Sequence, residues 1–155
     1  MAAELFKKIL SSEPDASKWQ VESAGTWAIQ GMPAAQKAQL VLEDDFQINL
    51  RDHRSRGVRR EVLRCFDLIL TMEQGHKEAL RAEFPEISKR VYLLAEMVHL
   101  EHDIRDPMGG SLIDFQDTSR EINQILTQGL ERIRMLAEEN AQTRKSSQPG
   151  PNVSS

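Results

Sequence analysis

The stretch FDLILTM at residues 66–72 decides the fold class of this chain. Its centre, from Leu68 to Leu70, is a continuous aliphatic run, which is typical of a strand that is buried on both faces. Strands of this kind belong to parallel sheets whose two faces are covered by helices. The stretch therefore predicts an α/β fold with a parallel sheet flanked by helices.

The segments before and after this strand alternate between helical and extended patterns. Apolar residues recur at helical spacing over residues 2–12, 33–42, 58–65, 73–82 and 114–139. Short extended patterns occupy residues 19–24, 48–50 and 90–94. Gly129 lies inside the last helical pattern and costs about 1 kcal/mol there relative to alanine. We expect tertiary packing to override that cost, so that one long helix forms.

The composition fits a single domain, since the chain has 155 residues of which 39% are hydrophobic. A net charge of -4 without a basic block argues against a nucleic-acid groove and against a polybasic membrane anchor. No apolar run reaches membrane-spanning length, and the first residues lack the order of a signal peptide. We therefore expect a cytoplasmic protein whose partner is neither a nucleic acid nor a membrane.

The end of the chain differs in composition from the rest. From Gln142 onward it consists mostly of serine, glutamine, proline, glycine and asparagine, with almost nothing to bury. Such a composition predicts disorder. We therefore divide the chain into an α/β domain at residues 1–141 and a disordered tail at residues 142–155.

Cys65 is the single cysteine, so internal disulfides and thiolate-clustered zinc sites are excluded. Its helical spacing with Val58 and Val62 predicts that it points inward as a buried, inert thiol. His99 and His102 have helical ligand spacing, but no thiolate or second histidine pair accompanies them. We expect these histidines to be solvated, and we expect neither a metal nor a cofactor.

The stretch DPMGG at residues 106–110 predicts a turn that carries an acidic side chain. Pro107 biases Asp106 toward an extended conformation, which keeps it out of any helix and projects its carboxylate. Gly109 and Gly110 let the backbone approach another group closely. A solvated acidic turn fits this stretch as well. In a parallel sheet, however, loops such as 23–27 and 103–110 gather at the carboxyl ends of the strands, where ligands bind.

Four stretches occur together in an order and spacing that resemble the low-molecular-weight protein tyrosine phosphatase family. They are SAGT at 23–26, HRSR at 53–56, FDLILTM at 66–72 and DP at 106–107, and the resemblance covers roughly residues 1–139. It implies a small three-layer, flavodoxin-like α/β fold whose first, central strand is missing from this chain. The family's nucleophile lies in a loop of the form C-x-x-x-x-x-R-[ST]-P directly before the first helix, and this sequence starts just past that position.

The resemblance implies roles for several residues. Asp106 matches the general acid of a reaction that hydrolyses phosphomonoesters, with phosphotyrosine or phosphoarginine as the substrate, through a phosphocysteine intermediate. Ser23 and His53 match positions that brace the catalytic loop, and Trp27 and Met108 match positions that contact the substrate. Trp27 could equally belong to the core. Met108 stands where many relatives have an aromatic residue, which leaves phosphoarginine open as a substrate.

Cys65 does not replace the family's nucleophile, because the residue six positions after it is Thr71 rather than arginine. We therefore expect the chain as given to be inactive. Whether the gene encodes an enzyme then depends on what precedes Met1. The expected partner is a phosphorylated protein, and the oligomeric state is left open.

Two other functions remain. A noncatalytic relative would bind phosphorylated ligands or another protein without turnover. An arsenate reductase on the same fold would need additional cysteines and is disfavoured by the single thiol. The arginines around His53 fit an anion-binding patch, although a charged loop at a helix start explains them as well.

Overall fold

The computed structural model describes residues 1–25 and 29–146. The helices are α1 (Ala2–Leu10), α2 (Gln36–Phe46), α3 (Arg60–Cys65), α4 (Gln74–Glu83), α5 (Leu112–Gln128) and α6 (Leu130–Ser146). The strands are β1 (Ile69–Thr71) and β2 (Val91–Leu93), and short 3-10 turns cover Ala16–Lys18, Pro85–Arg90 and Ala95–Val98. None of the helices in these two ranges is long and apolar enough to cross a membrane.

The two strands form a parallel sheet in which Ile69 lies opposite Val91 and Thr71 lies opposite Leu93. Successive side chains of a strand point to opposite faces, and the packing follows this alternation. Ile69 and Val91 belong to a small cluster with α3 and α4, whereas the intervening Leu70 packs against the main core. Helices therefore cover both faces of the sheet, and the predicted α/β fold class is confirmed.

The main core is built where α5 packs against α1 and α2. Leu5 of α1, Leu42 of α2 and Ile122 of α5 are each almost fully buried there. Their spacing follows the apolar stripes of the sequence. Burying such side chains stabilises the fold by roughly 1.5–3 kcal/mol each, so this core fixes α1 and α5 relative to the sheet.

The strand predicted at residues 19–24 does not form. An isolated parallel bridge between Gly25 and Gly57 comes directly after the segment. Within the described part of the chain, no backbone hydrogen bond involves residues 20–24. An extended segment without a neighbouring strand leaves its N–H and C=O groups to water, and that is the physical reason for the difference.

Two other boundaries differ from the prediction. Ala35 is extended, with φ -55° and ψ 138°, so α2 begins at Gln36 rather than at Pro33. The expected extended segment at 48–50 instead ends α2. Gln47 is left-handed, with φ 51°, and the Ile48 amide donates to the Leu42 carbonyl at 2.8 Å, which is a helix-terminating arrangement.

The prediction of a single long helix over residues 114–139 is wrong, because the helical segment divides at Gly129 into α5 and α6. A Cβ atom at Gly129 would lie 2.7 Å from the Cβ of Met97 and 2.9 Å from its carbonyl oxygen. The backbone of residues 95–98 therefore requires glycine at this point. The chain continues as α6 to Ser146, so residues 142–146 are helical rather than disordered, and residues 147–155 lie outside the described ranges.

Cys65 is exposed, which contradicts the prediction of a buried thiol. Helix α3 has only six residues, and Leu63 is its buried residue. Val62 is 39% exposed, so the helical spacing of Val58, Val62 and Cys65 does not define a buried face. The Cys65 thiol instead donates to the Glu61 carbonyl at 3.3 Å.

Candidate active site

The loop that carries Asp106 is anchored at the carboxyl end of the sheet. Ile104 is 1% exposed, and its amide donates to the Met72 carbonyl at 2.9 Å, directly after β1. One residue earlier, the Asp103 carboxylate accepts from the Gln74 amide at 2.7 Å. That bond satisfies a free amide at the start of α4, so both the sheet and a helix hold the beginning of the loop.

The turn at Asp106 is closed by two local hydrogen bonds. The Asp106 carboxylate accepts from the Met108 amide at 2.9 Å, and the Gly110 amide donates to the Pro107 carbonyl at 2.8 Å. Gly109 has φ +83°, a conformation that glycine adopts without strain. The predicted turn is present, and the exposed Asp106 side chain is oriented by its own backbone.

The end of the loop is fixed by the start of α5. Ser111 and Asp114 form a capping box in which the Ser111 amide donates to the Asp114 carboxylate at 2.6 Å. Hydrogen bonds from the Ser111 side chain and backbone lower the pKa of Asp114. A Cβ atom at Gly110 would lie 2.8 Å from the Asp114 carboxylate, so glycine is required for this close approach. Lys37 of α2 donates to the Gly110 carbonyl.

The amino end of α1 lies close to this loop. No side chain caps α1, and the Ala2 and Ala3 amides have no acceptor among the described residues. Burial lowers the pKa of the Met1 amino group, while the negative charges of Glu4 and Asp106 raise it. Asp106 is therefore near enough to act electrostatically on the amino end of α1.

His53 lies on the same side of the molecule. Burial lowers the pKa of its imidazole, and the positive charge of the Met1 amino group lowers it further. Glu4 acts in the opposite direction, and Lys7 and Arg54 add to the lowering. The structure thus brings together His53, Asp106 and the amino end of α1, which are far apart in the sequence.

Of the other predicted site residues, Ser23 and Met108 have fewer contacts that connect them to the amino end of α1. Ser23 is exposed and makes no hydrogen bond to any residue in the described ranges. The bridge from Gly25 to Gly57 places it beside the segment that follows His53. Met108 is 67% exposed next to Asp106. Trp27 lies outside the described residues.

An open groove of about 550 Å³ borders the Asp106 loop. Its charged lining is mostly acidic and consists of Asp103, Arg105, Asp106, Asp114, Asp117 and Glu121. Such a surface repels phosphate. The carboxylates therefore disfavour binding of a phosphoryl group in this groove.

In residues 1–25 and 29–146 there is no group of three histidine, cysteine, aspartate or glutamate side chains that could hold a metal ion. His102 instead contacts the Glu121 carboxylate of α5 at 2.7 Å. His99 has the left-handed φ of 61° that ends the turn at residues 95–98. His102 thus contacts a neighbouring carboxylate, and His99 ends a turn.

The family model described as low molecular weight phosphotyrosine protein phosphatase matches residues 1–141. This chain belongs to that family. It is 31% identical over 130 residues to a protein-arginine-phosphatase of Bacillus subtilis, with 83% of each chain covered. It is 38% identical over 88 residues to the low molecular weight protein-tyrosine-phosphatase Wzb of Escherichia coli K12, covering 57% of this chain and 58% of the relative.

Solved structures show the same relationship. A low molecular weight protein tyrosine phosphatase from T. tengcongensis superposes with a TM-score of 0.77 at 32% identity. The match covers 84% of this chain and 88% of that one. The resemblance based on four short stretches is confirmed, and so is the fold that it implied.

The position of Cys65 in this phosphatase-family fold separates it from the Asp106 loop. Cys65 ends α3 just before β1, at the amino end of that strand. The Asp106 loop follows the carboxyl ends, where Ile104 bonds to Met72. The thiol and the loop that carries the carboxylate thus lie at opposite ends of β1.

Sequence reasoning missed three residues that position the loop: Asp103, Lys37 and Asp114. The capping box could have been predicted from the sequence at residues 111–115. Ser111 is followed three residues later by the acidic Asp114, a spacing that is typical of a helix start. The contacts of Asp103 with α4 and of Lys37 with the loop join distant segments, and no local pattern announces them.

Proposed function

We propose that this chain carries the acid–base half of a phosphatase site, in which Asp106 is the general acid. The observation that supports this most strongly is electrostatic. The negative charge of Asp106 raises the pKa of the half-buried Met1 amino group, and the two backbone amides that follow lack acceptors among the described residues. In this proposal, the acid and the amino end of α1 would both act on one bound phosphoryl group.

The chemistry follows from this arrangement. The free amides of Ala2 and Ala3 and the positive end of the α1 dipole would hold phosphoryl oxygens. Asp106, in its protonated form, would donate a proton to the leaving group as its bond to phosphorus breaks. The resulting carboxylate would then take a proton from the water that attacks the phosphorylated nucleophile. Ser23 and His53 would brace the loop that carries that nucleophile.

The proposed substrate is a phosphorylated protein, with phosphotyrosine or phosphoarginine as the reacting residue. The names of the relatives support both, since one is a protein-arginine-phosphatase and another a protein-tyrosine-phosphatase. Both leaving groups need a proton, on the phenolate oxygen or on the guanidine nitrogen. Met108 and Trp27 would contact the side chain of the phosphorylated residue. We place this activity in the cytoplasm, in keeping with the single cysteine.

The sequence of residues 1–155 contains no C-x-x-x-x-x-R stretch. We therefore propose that residues 1–155 alone do not turn over, and that the codons preceding Met1 in the gene encode the nucleophilic loop in frame. Translating those codons tests the second statement. An in-frame stop codon close to Met1 would contradict it.

The longer product, if encoded, gives the test of Asp106. We expect it to hydrolyse an aryl phosphate or phosphoarginine, and we expect Asp106→Asn to lower kcat by roughly 10²–10⁴-fold because the proton donor is lost. Asp117→Asn is the matched control, since this exposed carboxylate lines the same groove but has no proposed role. An unchanged kcat in Asp106→Asn would refute the assignment.

A noncatalytic phospholigand-binding role is the second candidate, because the free amides of α1 remain available without a nucleophile. Binding at a helix end alone is weak, since the dipole contributes only about 0.3–1 kcal/mol. Titration of residues 1–155 with phenyl phosphate, followed by amide NMR shifts, distinguishes this role. Shifts at Ala2 and Ala3 without any turnover, in a gene with no upstream loop, would favour it.

A further inference from the structure

The arginines of residues 51–64 form a cluster of positive charge in the sequence. This stretch has six arginines against Asp52 and Glu61, a net charge of +4, whereas the whole chain has -4, so the remainder carries -8. The phosphatase chemistry proposed above makes no use of these arginines. Their partners within the protein therefore decide whether the charge is already neutralised.

Two of the arginines have no carboxylate partner in the described part of the chain. Arg54 donates to the carbonyls of Arg51 and His53 at 2.8 Å, and Arg59 donates to the Gln30 side chain at 3.0 Å. Arg56 pairs with Glu22 at 3.3 Å but remains 66% exposed. Positive charge is thus left open to solvent on this segment.

An exposed apolar loop adjoins these arginines and is held in place by Arg59 and by Ser55. The Gly31 amide donates to the Ser55 carbonyl at 2.9 Å, and the Ser55 amide donates to the Met32 carbonyl at 2.9 Å. This anchoring leaves Ile29 73% exposed and Met32 51% exposed. Water-exposed aliphatic side chains beside unpaired arginines combine the two features that recognise an amphipathic partner.

We propose that Ile29, Met32, Arg54, Arg56 and Arg59 form a docking surface, here called the arginine surface, for an acidic segment of a partner protein. Carboxylates of that segment pair with the guanidinium groups, and an apolar side chain packs on Ile29. Arg54 directly follows His53 in the sequence, so a docked segment would approach the proposed phosphoryl position. The inference needs no turnover and stands apart from the proposed catalysis.

The acidic groove that borders the Asp106 loop favours a protein over a nucleic acid. The charged side chains that line that groove are one arginine, Arg105, and five carboxylates: Asp103, Asp106, Asp114, Asp117 and Glu121. A long polyanion that crosses the site would meet these carboxylates and be repelled. A short acidic segment makes contact with the arginine surface alone.

Fluorescence anisotropy with labelled, unphosphorylated peptides tests the proposal on residues 1–155. One peptide repeats Glu-Glu-Leu, a second repeats Lys-Lys-Leu, and a single-stranded oligonucleotide of equal charge is the third probe. We expect binding of the Glu-Glu-Leu peptide only, with an affinity that falls as salt is added. Equal binding of the Lys-Lys-Leu peptide would overturn the proposal.

Charge reversal locates the binding. The double variant Arg54→Glu, Arg59→Glu breaks no ion pair among the described residues and should weaken binding of the Glu-Glu-Leu peptide by roughly tenfold or more, about 1.4 kcal/mol. The neutral double variant Arg54→Gln, Arg59→Gln should weaken it less. Lys18→Glu, Lys89→Glu is the matched control, since these lysines are exposed and unpaired with carboxylates in the described ranges. Equal weakening in the control would overturn the proposal.

Tighter binding of the oligonucleotide, lost in the Arg54→Glu, Arg59→Glu variant, would identify the arginine surface as a nucleic-acid site and overturn the assignment to a protein segment. Because no probe carries a phosphorylated side chain to hydrolyse, failure here leaves the proposed phosphatase chemistry unaffected. Failure of Asp106→Asn to alter turnover likewise leaves the arginine surface unaffected.

Discussion

The extended segments at residues 69–71 and 20–24 differ in what surrounds their backbones. Residues 69–71 form β1, pair in register with β2, and have helices on both faces. Residues 20–24 are followed by the single bridge from Gly25 to Gly57 and have no backbone hydrogen bond of their own among the described residues. The difference shows that an extended segment joins a sheet when a neighbouring strand is present to pair with it. An apolar pattern alone is not sufficient.

The comparison predicts a large difference between two equivalent truncations. Val91 in β2 is 0% exposed, so Val91→Ala should lower the free energy of unfolding by about 2–3 kcal/mol through lost burial and a cavity. Val21 is only partly buried beside the core, and Val21→Ala should cost less than about 1 kcal/mol. Urea unfolding measures both. Equal losses would show that residues 20–24 are as well packed as the sheet.

Two glycine substitutions sharpen the same comparison on the helices around the sheet. Gly129→Ala should destabilise by about 1–3 kcal/mol, because the new methyl group overlaps Met97. A Cβ atom added at Gly75 in α4 would meet no other atom of the described residues within 4 Å, so Gly75→Ala should stabilise by about 0.5–1 kcal/mol. Thermal unfolding of both variants checks the signs. A stabilised Gly129→Ala would mean that α5 and α6 can form one continuous helix.

The sequence predicted the elements whose stability is local or whose partners are adjacent. The apolar run indicated β1, and residues 74–83 and 91–93 followed their patterns closely. The division at Gly129 was not predictable, since it depends on the approach of Met97 from another segment. Cys65 was misplaced because its six-residue helix is too short for apolar spacing to define a face.

The candidate site was likewise predictable from the sequence only where its structure is local. Asp106-Pro107 and the turn around it were readable because proline and glycine restrict the backbone locally. The proximity of Asp106 and His53 to the amino end of α1 required the tertiary fold. The cap that Asp103 provides to α4 joins segments about thirty residues apart, and no pattern within either segment indicates it.

The dependence of unfolding free energy on acid pH should distinguish the Lys77–Glu96 ion pair from the Arg56–Glu22 ion pair. The expected change in free energy is smaller than for the truncations. Burial alone would raise the pKa of Glu96, but hydrogen bonds from Lys77 and the Leu93 amide outweigh it and hold the pKa below 4.5. A lowered folded pKa means that Glu96 stabilises the fold above pH 4.5, and that this contribution is lost as the pH falls through the lower folded value. Unfolding free energies measured from about pH 7 to pH 3 follow it.

The matched variants are Glu96→Gln and Glu22→Gln. Glu96 pairs with the buried Lys77 at 2.8 Å, so Glu96→Gln should remove part of the acid dependence. Glu22 pairs with an exposed arginine, and exposed pairs contribute little. A larger loss of acid dependence in Glu22→Gln would contradict the view that residues 20–24 are the weakly held region.

The central proposal is that this chain supplies the acid of a phosphatase site and no nucleophile. Its most direct test is the hydrolysis of p-nitrophenyl phosphate by purified residues 1–155, measured beside an Asp106→Asn variant. The account predicts that neither protein releases p-nitrophenol above the buffer rate. Turnover by residues 1–155 that disappears in Asp106→Asn would contradict it and reveal a nucleophile within this chain.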